Sequence, residues 1–283
     1  MESKSQNRKM RKVSEWIRKA NSKSEMPAEL RIALRAQIQS NRARLEKLHQ
    51  AARKSKSRYP IDLTQGFAKD LTHLGKLKEG ANLLRSEVFD LVEEGKIDEA
   101  AESARAIFRV GGSLTQEPML ISQLVRFGID SVGHSVVERV LNAGVISEAQ
   151  LRSLLASFED ADTTHGLVRG LVGDRAAAIP AFRFEALIQP FADDQAAPAP
   201  APRPMLKGIR RTVAQATGIF ERDLRFFLDT FETNLAIIAM PAPQSLNASN
   251  VLAALDLEAI RKHHTLSMML LPVWTAPKEA AKP

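Results

Sequence analysis

The chain contains no cysteine among its 283 residues. This absence excludes zinc-thiolate sites, iron–sulfur clusters, cysteine nucleophiles and structural disulfides. It does not indicate a compartment, because a chain without thiols is compatible with reducing and with oxidising surroundings. Aromatic residues are also scarce, with one Tyr and two Trp, and this scarcity argues against the base-stacking surfaces of single-strand nucleic-acid modules.

Long hydrophobic runs are missing as well. The stretch at residues 266–273 falls far short of the roughly 20 apolar residues that a membrane-spanning helix needs. Residues 1–20 are charged throughout and lack the apolar centre of a secretory signal. Hydrophobic residues still make up 44% of the chain and charged residues 26%, which is ordinary globular usage. We therefore expect a folded chain without a transmembrane helix or a signal peptide.

Positive charge is concentrated at the beginning of the chain. Residues 1–58 hold 17 Lys and Arg against 5 Asp and Glu, and the remaining residues hold 23 against 28. The net charge of +7 therefore comes entirely from the N-terminal part. Such asymmetry is typical of a chain that contacts an anionic partner, either nucleic acid or a lipid surface.

Residues 1–26 are predicted to form a basic amphipathic arm, because Met10, Val13, Ile17 and Ala20 recur at helical spacing. Contact with an anionic surface is predicted at its cations and tryptophan, which are Arg8, Lys9, Arg11, Lys12, Trp16, Arg18 and Lys19. Three interpretations fit this pattern. The arm docks its apolar stripe on the body of the protein or frays, it lies in a lipid headgroup region, or it contacts nucleic-acid phosphates.

The rest of the chain shows helical periodicity and turn signals, without the alternation of a sheet. We expect an all-α fold in which antiparallel helical hairpins pack as a bundle or a short irregular solenoid. Thr115 and Ser147 are predicted N-caps. Helices are predicted at about 28–54, 66–94, 98–110, 118–141 and 250–271. The predicted parts are a helical domain at 27–191, a Pro- and Ala-rich spacer loop at 192–204, C-terminal helices at 205–275 on the same core, and a disordered tail at 276–283.

The sequence LVEEGKIDEAA at residues 91–101 resembles the turn of a tetratricopeptide-type helical hairpin. A repeat array requires about three or more units with a period near 34 residues, and no second copy is visible. We therefore predict one such hairpin rather than an array.

Three short runs carry a family resemblance: YPIDLTQGF at 59–67, EPMLISQLVR at 117–126 and GDRA at 173–176. They resemble an uncharacterised bacterial family of helical, often membrane-anchored proteins. The resemblance implies association with the cell envelope through an N-terminal anchor, and it supplies no catalytic residue. This chain departs from the family at its beginning, where the basic arm stands in place of a spanning helix, and at its end, soon after Trp274.

A set of polar side chains stands among apolar residues near the middle of the chain. Ser122 and Arg126 are i, i+4 neighbours on a predicted helix, and Glu117 precedes them by one or two turns. The predicted cluster consists of Glu117, Ser122, Gln123 and Arg126. Two interpretations remain: the cluster faces a groove, or it is a buried network that satisfies a neighbouring turn, with Arg126 on the surface.

Signatures of catalysis and of metal binding are not found. The sequence holds no HExxH, no GxSxG, no GxGxxG and no phosphate-binding glycine loop. We therefore predict no cofactor, no metal and no catalytic residue.

These patterns predict a non-catalytic helical interaction or scaffold protein, with a protein partner and with an envelope association through its arm. The first alternative is a nucleic-acid-associated protein that uses the same arm and shows steep salt dependence. The second is an enzyme of unrecognised type with a pocket near Glu117, Ser122 and Arg126.

Overall fold

The computed structural model describes residues 2–20, 24–62, 70–161, 164–182, 218–241, 244, 248–264 and 267, and only the backbone of 2–10. These residues form α-helices and no strand, so the predicted all-α class is confirmed. The helices are α1 Glu2–Lys19, α2 Ala28–Ser40, α3 Arg42–Ala52, α4 Thr72–Glu93, α5 Ile97–Gly112, α6 Leu120–Ala143, α7 Glu148–Asp160, α8 Thr164–Ala178, α9 Ile219–Ile238 and α10 Ser249–Arg261. A 3₁₀ turn, Ile179–Phe182, follows α8.

The chain divides into two compact units. The first comprises Met1–Ile61 and Asp70–Gly170, and the second comprises Asp62–Lys69 and Leu171–Pro283. The division therefore falls inside α8. The arm predicted as a separate part belongs to the first unit.

Two of the predicted parts lie outside the described residues. They are the spacer loop at 192–204 and the tail at 276–283. The packing of residues 205–275 on the same core stays a prediction.

The core of the first unit lies among α4, α5 and α6. Ala100, Ala101 and Ala104 of α5 are fully buried, and their small side chains let the neighbouring helices approach closely. Gly95 joins α4 to α5 with a φ of +73°, a left-handed conformation that glycine adopts without steric cost. The apolar face that the sequence periodicity of α5 defines is therefore covered by α4 and α6.

The prediction of one continuous helix over 28–54 is wrong, because this segment forms two helices, α2 and α3, which are separated at Asn41. The Asn41 side-chain amide donates to the Gln37 carbonyl at 3.0 Å, and the Ser40 hydroxyl donates to the same oxygen at 2.9 Å. Side chains that satisfy backbone carbonyls compete with continuation of the helix. The break therefore has a local cause.

The two predicted N-caps differ in outcome. Ser147 caps α7, because its hydroxyl accepts a hydrogen bond from the Gln150 amide at 3.4 Å. Thr115 does not cap α6. Its hydroxyl donates to the Gly112 carbonyl at 2.7 Å and so closes the end of α5, while Met119 occupies the N-cap position of α6.

The helix predicted over 250–271 ends early, at Arg261. His263 has a φ of +55°, and the His264 amide donates to the Ala259 carbonyl at 2.9 Å. This combination is the left-handed C-terminal stop of a helix. The helix predicted from about residue 66 begins at Thr72, whose amide donates to the Asp70 carboxylate at 2.8 Å.

In the second unit, aromatic residues pack the middle of α9 against the 3₁₀ turn. The Phe182 and Phe227 rings lie 5.0 Å apart, and Phe227 and Phe231 lie 4.7 Å apart. Phe227 and Phe231 are fully buried. The phenylalanine stripe of α9 is therefore a packing surface. None of the described helices combines the length and the apolar character required to cross a membrane.

Candidate functional site

The predicted polar cluster lies where the loop after α5 meets α6. The Gln123 side-chain amide donates to the Leu114 carbonyl at 2.9 Å and to the Glu117 carbonyl at 2.8 Å. Both acceptors are in the loop, and Gln123 is fully buried. Gln123 therefore fixes the loop against the first turn of α6 by satisfying carbonyls that water cannot reach.

Glu117 connects this loop to α4. Its carboxylate lies 2.7 Å from the His73 Nε2 atom, and the His73 ring stacks on Tyr59 at a centroid distance of 4.5 Å. The Tyr59 hydroxyl in turn shares a 2.8 Å hydrogen bond with the Ser113 hydroxyl. Burial raises the pKa of the Tyr59 hydroxyl. Together, the contacts of Glu117, His73, Tyr59 and Ser113 connect segments that are far apart in sequence.

Arg126 and Asp130 form a buried ion pair one turn further along α6. Arg126 Nε lies 3.6 Å from Asp130 Oδ2, and both residues are at most 5% exposed. Loss of hydration raises the pKa of Asp130 to about 6, although the positive charge of Arg126 opposes this shift. Near neutral pH the Asp130 carboxyl is therefore close to its titration point.

Of the two interpretations of the cluster, the structure shows the buried network that satisfies a turn. The prediction that Arg126 lies on the surface is wrong, since it is 2% exposed. Charge on a buried guanidinium requires a partner, and Asp130 supplies one. Ser122 is also fully buried, but its hydroxyl makes no hydrogen bond within the described part of the chain.

The first turns of α8 cover the cluster. A Cβ atom on Gly166 would come within 2.6 Å of Gln123 Oε1 and 3.5 Å of an Arg126 nitrogen. Arg169 donates to the Thr115 carbonyl. Glycine at 166 is thus what allows α8 to lie against two members of the cluster.

Two adjoining cavities open beside this network, with volumes of about 260 and 250 Å³. They share Lys54, Ser55 and Arg109. Arg126 lines the second cavity, whereas Glu117, Ser122 and Gln123 line neither. The pocket expected for the enzyme hypothesis therefore receives only one residue of the cluster.

His49 lines the first cavity. Its Nε2 atom lies 2.7 Å from the Glu87 carboxylate, and this hydrogen bond raises the pKa of His49 despite partial burial. When His49 is protonated, the Glu87 carboxylate balances its positive charge.

The N-terminal arm forms the predicted helix and docks on the body of the first unit. Val13 and Ile17 are 0% and 5% exposed and belong to the main core. Trp16 packs edge-on against Phe89 with ring centroids 5.9 Å apart. The arm is therefore part of the folded unit rather than a free leader.

Arg139 reinforces the docking. Its guanidinium carbon lies 4.2 Å from the Phe89 ring centroid and 5.8 Å from that of Trp16. One guanidinium nitrogen donates to the Ser24 carbonyl at 3.1 Å, and another to Glu93 at 3.2 Å. A single buried arginine on α6 thus joins α1, α4 and the segment between α1 and α2.

The cationic face of α1 points away from the core. Arg11, Lys12, Arg18 and Lys19 are exposed. Lys19 pairs with Glu15 at 2.8 Å. The side chains of Arg8 and Lys9 lie outside the described part.

The second unit holds a buried polar group that sequence reasoning missed. The Ser267 hydroxyl donates to the Asp223 carboxylate, and the His264 Nδ1 atom lies 3.4 Å from the same carboxylate. All three residues are at most 3% exposed. The serine contacts the aspartate and not the histidine, which differs from the hydrogen-bond order of a nucleophilic triad. The sequence did contain a pointer to this group. Asp223 lies three residues after Phe220 and four before Phe227, so it shares a helix face with these two buried phenylalanines.

Two further members of the first unit's network were also missed. Asp130 had a usable signal, since it follows Arg126 by four residues on a face shared with Ser122. His73 had none, because its partner Glu117 is 44 residues away.

No cluster of metal-ligating side chains occurs within the described ranges. Comparisons with protein-family models, with curated proteins and with solved structures found no match for this chain. The resemblance to a family of membrane-anchored proteins stays a prediction. The functional proposal therefore depends on geometry and charge.

Proposed function

We propose that this protein is a non-catalytic helical interaction protein that contacts an anionic partner through the cationic face of α1, without inserting that helix. One observation carries the proposal. Val13 and Ile17 are buried in the core while Arg11, Lys12 and Arg18 face outward. The helix thus presents its charge as a fixed part of the folded unit.

Insertion of α1 into lipid would require undocking of its apolar stripe. Lipid would bury Val13 and Ile17 again, but the apolar surface that they cover on the body of the first unit would be exposed to water, which is unfavourable. Trp16 would also lose its contacts with Phe89 and Arg139. Electrostatic contact from the docked position carries none of these costs.

The test is co-sedimentation of the full chain with vesicles of anionic and of neutral lipid. Each cation near an anionic membrane contributes about 1 kcal/mol, so Arg11→Gln/Lys12→Gln should weaken binding to anionic vesicles roughly thirtyfold. The matched control is Arg222→Gln/Arg225→Gln, two exposed cations on α9. Equal binding of the two variants would refute a contact through α1.

The docked and inserted forms differ in the environment of Trp16. In a Trp274→Phe background, the docked mode predicts that Trp16 emission does not change when vesicles bind. A blue shift with quenching by brominated lipid would replace this proposal with insertion.

Nucleic acid is the second candidate partner. The observation that favours it is a further basic segment in the same unit, at residues 53–58, with four exposed cations and no acidic residue. A non-inserting basic surface is what a phosphate backbone requires. If duplex DNA displaces the protein from anionic vesicles, this candidate replaces the membrane surface.

A further inference from the structure

His49 and Glu87 link the last turn of α3 to α4. The His49 Nε2 atom lies 2.7 Å from the Glu87 carboxylate, although the two residues are 38 positions apart in sequence. Both side chains are mostly buried, with 23% of His49 and 16% of Glu87 exposed. We propose that this contact is a pH-sensitive latch, which holds α3 on α4 while His49 is protonated and releases it more readily as His49 loses its proton. The proposal is independent of the contact made by α1.

The attachment of α3 depends on packing, because 11 residues are too few for a stable isolated helix. Leu45 is buried, and Leu48 packs over Gly80 of α4 so closely that a Cβ atom there would come within 2.9 Å. Arg44 and Glu79 form an ion pair at 3.0 Å, but both side chains are at least half exposed. Exposed ion pairs contribute little to stability. Of the two ion pairs that join α3 to α4 in the described part of the chain, the latch is therefore the one better shielded from water.

Protonation strengthens the latch. Protonated His49 is a cation beside a carboxylate, so charge attraction is added to the hydrogen bond. The hydrogen bond to Glu87 raises the pKa of His49 above its ordinary value, although partial burial opposes this shift. When α3 leaves α4, His49 returns to the ordinary pKa of about 6.5. The latch therefore stabilises the docked helix fully below pH of about 6.5, and this stabilisation is lost as pH rises through the raised pKa.

Other charged side chains line the cavity beside His49, from the end of α3 and from α5: Arg53, Lys54, Glu102, Arg105 and Arg109. Glu102 favours protonation of His49 and Arg53 opposes it, and both act less strongly than Glu87 does. Glu102 also pairs with Arg105 at 2.6 Å, which partly balances its charge. The contact with Glu87 therefore decides which form of His49 the docked helix favours.

Release of α3 acts on two neighbouring features. His49 lies in the wall of the first cavity, and the basic segment at 53–58 follows α3 directly. Movement of the last turn of α3 therefore changes the shape of this cavity and the attachment of the basic segment together. The latch gives the first unit a structural response in the pH range where histidine titrates.

The test is amide hydrogen exchange of the full chain at several pH values, corrected for the intrinsic exchange rates. Protection of α3 should fall about fivefold between pH of about 5.5 and about 8.5, the size expected when a partly buried ion pair loses one charge. In His49→Gln the side-chain amide can still donate to Glu87 but does not titrate, so this variant should not show the fall. Glu87→Gln removes the carboxylate and should abolish the fall in the same way, which keeps the test available if one variant does not fold.

The matched control is His165→Gln, which changes an exposed histidine on α8 and should keep the fivefold fall. Proton NMR titration of the histidine rings checks the cause directly. The resonance that disappears in His49→Gln should titrate above pH of about 6.5 in the parent chain and lower in Glu87→Gln. The same loss of α3 protection in His49→Gln as in the parent chain would overturn the latch. An ordinary or lowered pKa of His49 in the parent chain would overturn it as well.

Discussion

Asp130 shows how one buried carboxyl group links stability to pH. Its pKa in the folded protein is about 6 because burial removes hydration, whereas an unfolded aspartate has a pKa of about 3.9. Between these values the folded state binds more protons than the unfolded state. The free energy of unfolding therefore falls as pH rises through this window, and it stays lower above pH of about 6.

The variant Asp130→Asn isolates this effect, because asparagine does not titrate. The unfolding free energy of the parent chain minus that of the variant should decrease by about 2 kcal/mol from pH of about 4 to about 7. Urea denaturation at several pH values measures both. Groups common to the two proteins cancel in the difference. A difference that is constant with pH would show that Asp130 has an ordinary pKa in the folded state.

Gly133 and Gly128 form a matched pair on α6. A Cβ atom on Gly133 would lie 2.7 to 2.9 Å from three ring carbons of the buried Phe108, whereas a Cβ on Gly128 meets nothing within 4 Å. Overpacking of a core typically costs about 1 to 3 kcal/mol. Gly133→Ala should therefore destabilise the protein by about that amount.

Gly128→Ala should instead stabilise it by about 0.5 to 1 kcal/mol, because alanine restricts the unfolded chain and favours helix. Thermal denaturation of the two variants side by side tests the opposite signs. Equal melting temperatures would contradict the close contact with Phe108.

At the scale of elements, the docking of α1 has the clearest consequence. Ile17 on α1 is 5% exposed, and Ile32 on α2 is 74% exposed. Ile17→Ala should reduce the free energy of unfolding by about 2 to 4 kcal/mol. Ile32→Ala should change it by less than about 0.5 kcal/mol.

Chemical denaturation followed by far-UV circular dichroism measures both effects. If both substitutions are neutral, α1 is a leader that frays in solution. The experiment thus separates the docked arm from the alternative left open by its sequence.

Most helices could be predicted as elements, because periodicity and caps depend on residues within a few positions of each other. Ser147 and Gln150 illustrate this, since the cap joins residues three apart. The boundaries at Asn41 and Arg261 were missed. There the outcome depended on side-chain hydrogen bonds or on one left-handed residue, and neither changes the apolar periodicity.

At the scale of the whole molecule, the asymmetry of charge predicts a strong dependence on salt. Binding of an anionic partner should weaken as salt increases, and for duplex DNA log K should fall linearly with log salt. Arg11→Gln/Lys12→Gln should reduce that slope by about 2 if both cations contact phosphates. Fluorescence anisotropy with a labelled duplex at several salt concentrations measures it. The same slope in the variant and in Arg222→Gln/Arg225→Gln would exclude α1 from the contact.

The sequence by itself determined the helical class and the basic amphipathic character of the arm, because these depend on composition and on spacing of three or four residues. Only the tertiary structure decided that the apolar face of α1 is covered by the body of the first unit and that Arg126 is buried rather than on the surface. Contacts such as Glu117 with His73 join residues 44 positions apart. Such pairs cannot be predicted from local spacing, because they form only when helices pack and expel water from the groups between them.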